Sequence, residues 1–233
     1  MQIQFPQHFK ALVIGTGGAL GHAFARYLEN ETTCASVVSI SRSQCHDFDL
    51  EDASSIERVA TDLRAQGPFH LVIDATGALT IDGVGPEKSL SRMDAGGLHR
   101  SFAINAIGPA LLLRHLAPSI ASGDAIYAKL SARVGSISDN QKGGWYGYRA
   151  SKAALNMLLQ TAAIELQRKN PNLRVVALQP GTVRSRLSEP FQSGVPTLLE
   201  PSESVAGMMR AMMALNPKSG AHFIDYQGRE IPW

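Results

Sequence analysis

Cysteine is scarce in this chain: Cys34 and Cys45 are the two among 233 residues, and they form no CxxC pair. That excludes a disulfide framework and a thiolate zinc site, and it fits a reduced, cytoplasmic compartment. Long apolar runs are also missing. No stretch approaches the roughly 18 residues of a membrane span, and the N-terminal MQIQFPQHFK has no apolar signal core, so no membrane is expected as a partner. Charge of one sign is not concentrated anywhere. The balance is 22 basic against 20 acidic residues without a like-charged block, which gives no footprint for nucleic acid or an anionic surface. The seven histidines (His8, His22, His46, His70, His99, His115 and His222) include no HExxH and no close pair, so no metal is expected.

Present instead is a regular alternation of apolar runs and amphipathic stretches. At 233 residues the chain reads as one domain spanning 1–233 with a substantial core. KALVI (10–14) runs straight into GTGGALG (15–21) and then a helical pattern to Asn30. An apolar strand ending in glycine suits a parallel sheet buried on both faces. Gly15, Gly18 and Gly21 allow a sharp turn, close approach of a ligand, and helix–strand packing at a helix N-terminus that offers free N–H groups to a phosphate. The same spacing also occurs in ordinary glycine turns.

ASVVSI (35–40) is a second strand, and it ends in Ser41, Arg42 and Ser43. In a dinucleotide site an acid here would bind the 2′-hydroxyl of NAD, whereas an arginine suits the 2′-phosphate of NADP. A helix over 51–66 follows, capped by Asp52 or Ser54. FHLVIDA (69–75) is the next strand and leads to Thr76-Gly77. A long helical region over 92–115 contains Asn105 and then Gly108-Pro109, which break helix propensity mid-element. Such a break marks a functional or strained position, or an asparagine that simply bonds nearby backbone. Strands follow at 125–130, 173–179 and 222–226, with helices at about 146–169 and 201–215. Met208, Met209, Met212 and Met213 read as packing residues. The irregular stretch 184–199 reads as a substrate loop or lid. The fold class is therefore α/β, a doubly wound parallel sheet of about seven strands with helices on both faces. The Gly15 loop, Arg42, Gly77, Ser131 and Pro180 all follow strand ends and so fall on one rim, where such sheets bind ligands.

Within WYGYRASKAALN (145–156), Tyr148 and Lys152 are four apart, so on a helix they share a face. An ammonium close to a phenol favours the phenolate, and the sequence leads one to expect a Tyr148 pKa drawn down toward neutrality for acid/base work. A helix-entry tyrosine with a solvated lysine behind it would give the same letters.

Taken together, these stretches resemble the short-chain dehydrogenase/reductase family along essentially the whole chain. SARVGSISDN, GGWYGYRASKAALN and DYQGREIPW resemble its carbonyl-reductase-like subgroup, which includes the C-factor proteins. The resemblance implies a Rossmann fold and an oxidoreductase that reduces a small aldehyde or ketone, with NADP(H) preferred and NAD(H) possible. Tyr148 would be the proton donor, Lys152 would hold the nicotinamide ribose, and Asn105 would hold a relay water. The cofactor would contact Gly15, Gly18, Ala19, Leu20, Gly21, Arg42, Asp49, Leu50, Ala75, Thr76, Gly77, Tyr148, Lys152, Pro180, Gly181, Thr182 and Val183. A homodimer or homotetramer is also implied.

Three departures stand out. Ala19 replaces a glycine, Asp74-Ala75-Thr76-Gly77 stands for Asn-Asn-Ala-Gly, and the family's serine falls on Ala132. Ser131, at the strand end, is the expected substitute, with Ser136 next. That missing hydroxyl also leaves room for a different class of function, an NADP(H)-binding signalling or interaction protein with little catalysis.

Overall fold

The computed structural model describes residues 3–189, 192 and 197–233. Among them, six parallel strands form one sheet in the order β2-β1-β3-β4-β5-β6: β1 (Phe9–Ile14), β2 (Cys34–Ile40), β3 (Leu71–Asp74), β4 (Ala125–Leu130), β5 (Leu173–Gln179) and β6 (His222–Asp225). The strands alternate with α1 (Ala19–Glu29), α2 (Ala53–Arg64), α3 (Ala95–Phe102), α4 (Gly108–Leu116), α5 (Tyr146–Gln167) and α6 (Pro201–Met213). The Rossmann-like α/β fold expected from the alternation is present, with six strands in place of about seven. The segment between β2 and α2 is polar and folds on itself. Ser41 Oγ donates to Gln44, and Ser55 Oγ both donates to the Asp47 carbonyl and accepts from the Asp49 N–H.

The period-2 alternation of the strands divides the core. Leu12, Ile14, Val72 and Tyr127 face α2, α4 and α5, while Ala11, Val13 and Ile73 face α1 and α6. Met208 and Met212 are fully buried in the second layer, as packing residues. Each large apolar side chain so buried contributes on the order of 2 kcal/mol relative to exposure.

Strand register positions the functional rim. Ile14 is flanked by Ile40 on one side and Asp74 on the other, and Asp74 is in turn beside Lys129. The chain leaves β1 toward β2 but returns to β3 across β1, so the crevice opens between the ends of β1 and β3.

The expected helix over 92–115 is broken into α3, a π-helical turn at Ala103–Ile107 carrying Asn105, and α4. Two residues explain the break. Pro109 has no N–H to give, and Gly108 is so close to Leu50 that an added Cβ would lie 2.5 Å from its carbonyl oxygen. Asp52 caps α2 by accepting from Ser54 N–H at 2.9 Å. Among the described residues, no helix is long and apolar enough to cross a membrane.

Candidate active site

Two clefts meet at the carboxyl rim of the sheet. The first, about 610 Å³, is lined by Gly15, Gly18, Arg42, Asp49, Leu50 and Ala75 through Gly77, eight of the residues expected to hold a cofactor. Its floor requires glycine at two positions. Gly15 adopts φ +91°, and a Cβ on it would press on the Ala75–Thr76 peptide at 3.1–3.2 Å. A Cβ on Gly21 would collide with the Gly15 carbonyl, so this glycine lets α1 pack against the turn. Ala19, Leu20 and Gly21 form the first turn of α1, which has no side-chain cap and so presents bare N–H groups to the crevice. Arg42 is exposed and makes no hydrogen bond or ion pair among the described residues. A glycine cradle, an uncapped helix N-terminus and an uncommitted guanidinium together fit a nucleotide carrying phosphates.

Part of this cleft was not legible in the sequence. Arg100, on α3, donates from Nε and Nη2 to the Glu51 carboxylate at 3.0 Å each, and from Nη1 to Asp82. Arg100, Asp82 and Ile81 line both clefts and so form the partition between them, with Glu51 on the side of the first. Residues 49 apart in sequence carry no local signal of such pairing.

The end of β3 is tied down by a buried ion pair. Lys129 Nζ donates to Asp74 Oδ1 at 2.9 Å, to the Thr76 carbonyl at 2.6 Å and to Thr76 Oγ1 at 2.8 Å, which uses all three of its protons. Asp74 Oδ1 also accepts from Thr76 N–H and Oγ1–H at 2.9 and 2.6 Å. Asp74 Oδ2 and the neighbouring Tyr127 hydroxyl are buried without hydrogen-bond partners among the described residues. Burial, reinforced by the Asp74 charge, pushes the Tyr127 phenol well up.

Asn105 is fully buried, accepting from Ala78 N–H at 2.9 Å and donating to the Ala78 carbonyl at 2.8 Å. Both its polar atoms thus serve backbone. The site for a Cβ on Gly77 lies 3.0 Å from Asn105 Oδ1 and 3.5 Å from Lys152 Nζ, so these three residues converge at the cleft floor.

Lys152 Nζ donates to the Leu130 carbonyl at 3.1 Å and lies 5.6 Å from the Tyr148 ring centre. The electrostatics differ from the expectation of an acidified phenol. Burial pushes Tyr148 above the ordinary tyrosine range. Burial, followed by the Lys129 charge and partly offset by Asp74, lowers Lys152 to about 7. Lys152 is buried, whereas Tyr148 is half-buried and lines the second cleft, so desolvation acts more fully on the amine than on the phenol. The amine is poised near neutrality, and the phenol stays protonated.

Ser131 donates from Oγ to Asn156 Oδ1 at 2.7 Å, one helical turn beyond Lys152. Ser136 Oγ accepts from Asp139 N–H at 3.1 Å, and both serines are buried. Ala132 is half-buried just before the turn Arg133–Gly135. That turn is pressed on α5, since a Cβ on Gly135 would stand 2.8 Å from Lys152 Cβ.

Pro180 to Val183 leave the end of β5. Ser204 Oγ donates to the Pro180 carbonyl at 2.6 Å, Gly181 adopts φ +78°, and Val183 bridges to Leu199. The expected lid at 184–199 is stitched at its two ends by this bridge, while residues 190, 191 and 193–196 of it lie outside the described residues.

The second cleft, about 770 Å³, is lined by Leu79, Ile81, Glu87, Arg92, Gly147 and Tyr148, among others. A protonated phenol and an amine lowered to about 7 therefore stand beside the glycine turn, an arrangement suited to proton transfer at a bound carbonyl or alcohol.

Residues 10–195 match the family model described as short chain dehydrogenase. The C-signal protein of Myxococcus xanthus is 34% identical over 168 residues, covering 72% of this chain and 94% of that protein. The 1-hydroxy-2-glutathionyl-2-methyl-3-butene dehydrogenase of a Rhodococcus species is 26% identical over 232 residues, 95% of this chain and 98% of that one. The NADPH-bound carbonyl reductase from chicken fatty liver superposes with a TM-score of 0.83 at 20% identity, covering 100% of this chain and 96% of that structure, a likeness of fold. The chain belongs to the short chain dehydrogenase family of oxidoreductases.

Proposed function

We propose that this protein is an NADPH-dependent reductase of a small aldehyde or ketone, with Tyr148 as the proton donor. The observation that carries the reading is the convergence of Lys152 Nζ, Asn105 and Gly77 where the glycine-floored cleft meets the face of α5 bearing Tyr148. A bound nicotinamide would supply hydride to the carbonyl carbon. Tyr148 gives its proton to the carbonyl oxygen, which completes the alcohol. Burial keeps that phenol protonated before the reaction, as a general acid requires. Lys152, lowered to about 7, is placed to return a proton toward the phenol and to bind the ribose hydroxyls. Asn105 fixes Ala78, and thereby the Gly77 backbone at the cleft floor. Arg42, uncommitted at the end of β2, suits a 2′-phosphate and supports NADP(H) over NAD(H). Asp49 and Leu50 would flank the adenine, and Thr182 and Val183 the carboxamide.

The reading extends to assembly and location. Met157, Leu158 and Ile164 are exposed on α5, which supports packing against a second copy as a homodimer or homotetramer, checked by sedimentation. The two unpaired cysteines support a cytoplasmic location.

The test is NADPH oxidation with a panel of reactive carbonyls, where Tyr148→Phe should lower turnover by about 100-fold or more while NADPH still binds. Wild-type turnover in that variant would remove Tyr148 from the role. A second reading, a cofactor-binding signalling protein, is favoured by one observation: Ser131 Oγ is spent on Asn156 while Ala132 offers no hydroxyl. It expects tight NADPH binding with no turnover across the panel.

A further inference from the structure

We propose that Glu87 is a positioning residue for Tyr148, acting as the N-terminal cap of α5 from a loop 60 residues upstream. The inference rests on Tyr148 being the proton donor.

A helix leaves its first N–H groups without intrahelical partners, and a side chain at the helix entry usually satisfies one of them. α5 has neither device of its own. Trp145 at its entry makes no side-chain cap, and the first turn holds no acidic residue. Glu87 takes both places. Its carbonyl accepts from Trp145 N–H at 2.5 Å, and its carboxylate Oε2 accepts from Gly147 N–H at 3.0 Å. A carboxylate at this end also complements the positive pole of a 22-residue helix.

The surrounding chain is shaped for this contact. Gly144 and Trp145 adopt φ +65° and +55°, a left-handed pair that turns the chain onto Glu87 and that tryptophan tolerates only under constraint. A Cβ on Gly147 would stand 2.9 Å from Glu87 Oε1, so glycine here leaves room for the carboxylate. Tyr148 is the next residue, and its ring meets that of Trp145 edge-on at 6.2 Å. Its carbonyl accepts from Ser151 Oγ at 2.9 Å, so the backbone of the tyrosine is held behind by its own helix and in front by Glu87, while Arg149 ties down the preceding Gly143 and Gly144 carbonyls. Loss of the cap frees the first turn, and the phenol moves with it.

The experiment compares Glu87→Ala, Glu87→Gln and Gly147→Ala by steady-state kinetics, NADPH binding and amide exchange in the first turn of α5. Glu87→Ala should lower kcat by about tenfold to a hundredfold, the scale of a small misplacement of a reacting group, with NADPH affinity held within about twofold. Gly147→Ala, whose methyl displaces the flexible carboxylate, should give a smaller loss in the same direction, and Glu87→Gln, whose amide oxygen still accepts, should restore most of it. Exchange at the first-turn amides should quicken about tenfold or more in Glu87→Ala whether or not a good substrate is in hand. Unchanged exchange, or an unchanged kcat in folded Glu87→Ala, overturns the proposal, as does a parallel loss of kcat and NADPH affinity. Failure of the underlying reading has a separate signature: Tyr148→Phe would turn over normally.

Discussion

Lys129 Nζ lies 2.9 Å from Asp74 Oδ1 with both side chains fully buried, and this pair anchors the strand end that leads into the glycine-floored cleft. An ion pair out of water costs desolvation on both sides, but removing one partner leaves the other charge uncompensated. Lys129→Met should therefore lower unfolding free energy by about 3–5 kcal/mol, and Asp74→Asn/Lys129→Met should recover part of it. Denaturant titration of the three proteins checks this. Equal stability in the single and double variants would contradict the coupling.

Lys152 makes stability depend on pH. Its folded value near 7 is depressed from the ordinary 10.5, so between those values the unfolded chain binds more protons than the folded one. Stability therefore rises with pH wherever that holds, and the penalty, fully present below pH 7, is relieved above it. The cofactor-free protein should gain stability from pH 7 to about 9, and Lys152→Met should flatten the slope. Above about 10 the trend reverses, because the raised Tyr148 favours the folded state only while the unfolded phenol remains protonated. Denaturation midpoints at three pH values measure both effects.

On the proposed reading, Arg42 would set the cofactor preference. Arg42→Asp should weaken NADPH binding by about tenfold to a hundredfold, the loss of one charge-assisted contact, while NADH binding stays level or improves. Fluorescence titration with both nucleotides decides it, and equal weakening would place the 2′-phosphate elsewhere.

Ala132 stands where the turn before α5 leaves β4, and neither serine beside it is free of a partner. Ala132→Ser should raise kcat on unactivated ketones by about tenfold or more by adding a donor to the carbonyl oxygen. Rates on electron-poor carbonyls should change less. A uniform loss would indicate that position 132 is remote from the substrate.

The inner strands were readable because they are apolar runs buried on both faces and closed by glycine or polar residues, 125–130 and 173–179 matching residue for residue, whereas the edge strand β2, read as buried, is largely half-buried or exposed. All six apolar runs read as strands form strands, so the count of about seven exceeded the runs themselves by one. At the site, the glycine turn, Arg42 and the Tyr148–Lys152 spacing followed from chain-local rules. The protonation states did not, because spacing registers that two groups are close but not how little water reaches them. Lys129, Asn156, Arg100 and Glu87 were also invisible, each meeting a partner that lies 25 to 60 residues away.

By itself the sequence determined the α/β alternation, the turn that can cradle a phosphate, and the helix face shared by phenol and amine, since periodicity and backbone freedom act over a few residues. Tertiary structure alone decided which charges are buried together, which serine is spent on Asn156, and that a distant carboxylate closes the entry of the Tyr148 helix. Desolvation and long-range hydrogen bonding depend on what the folded chain brings into contact, and no local pattern encodes that.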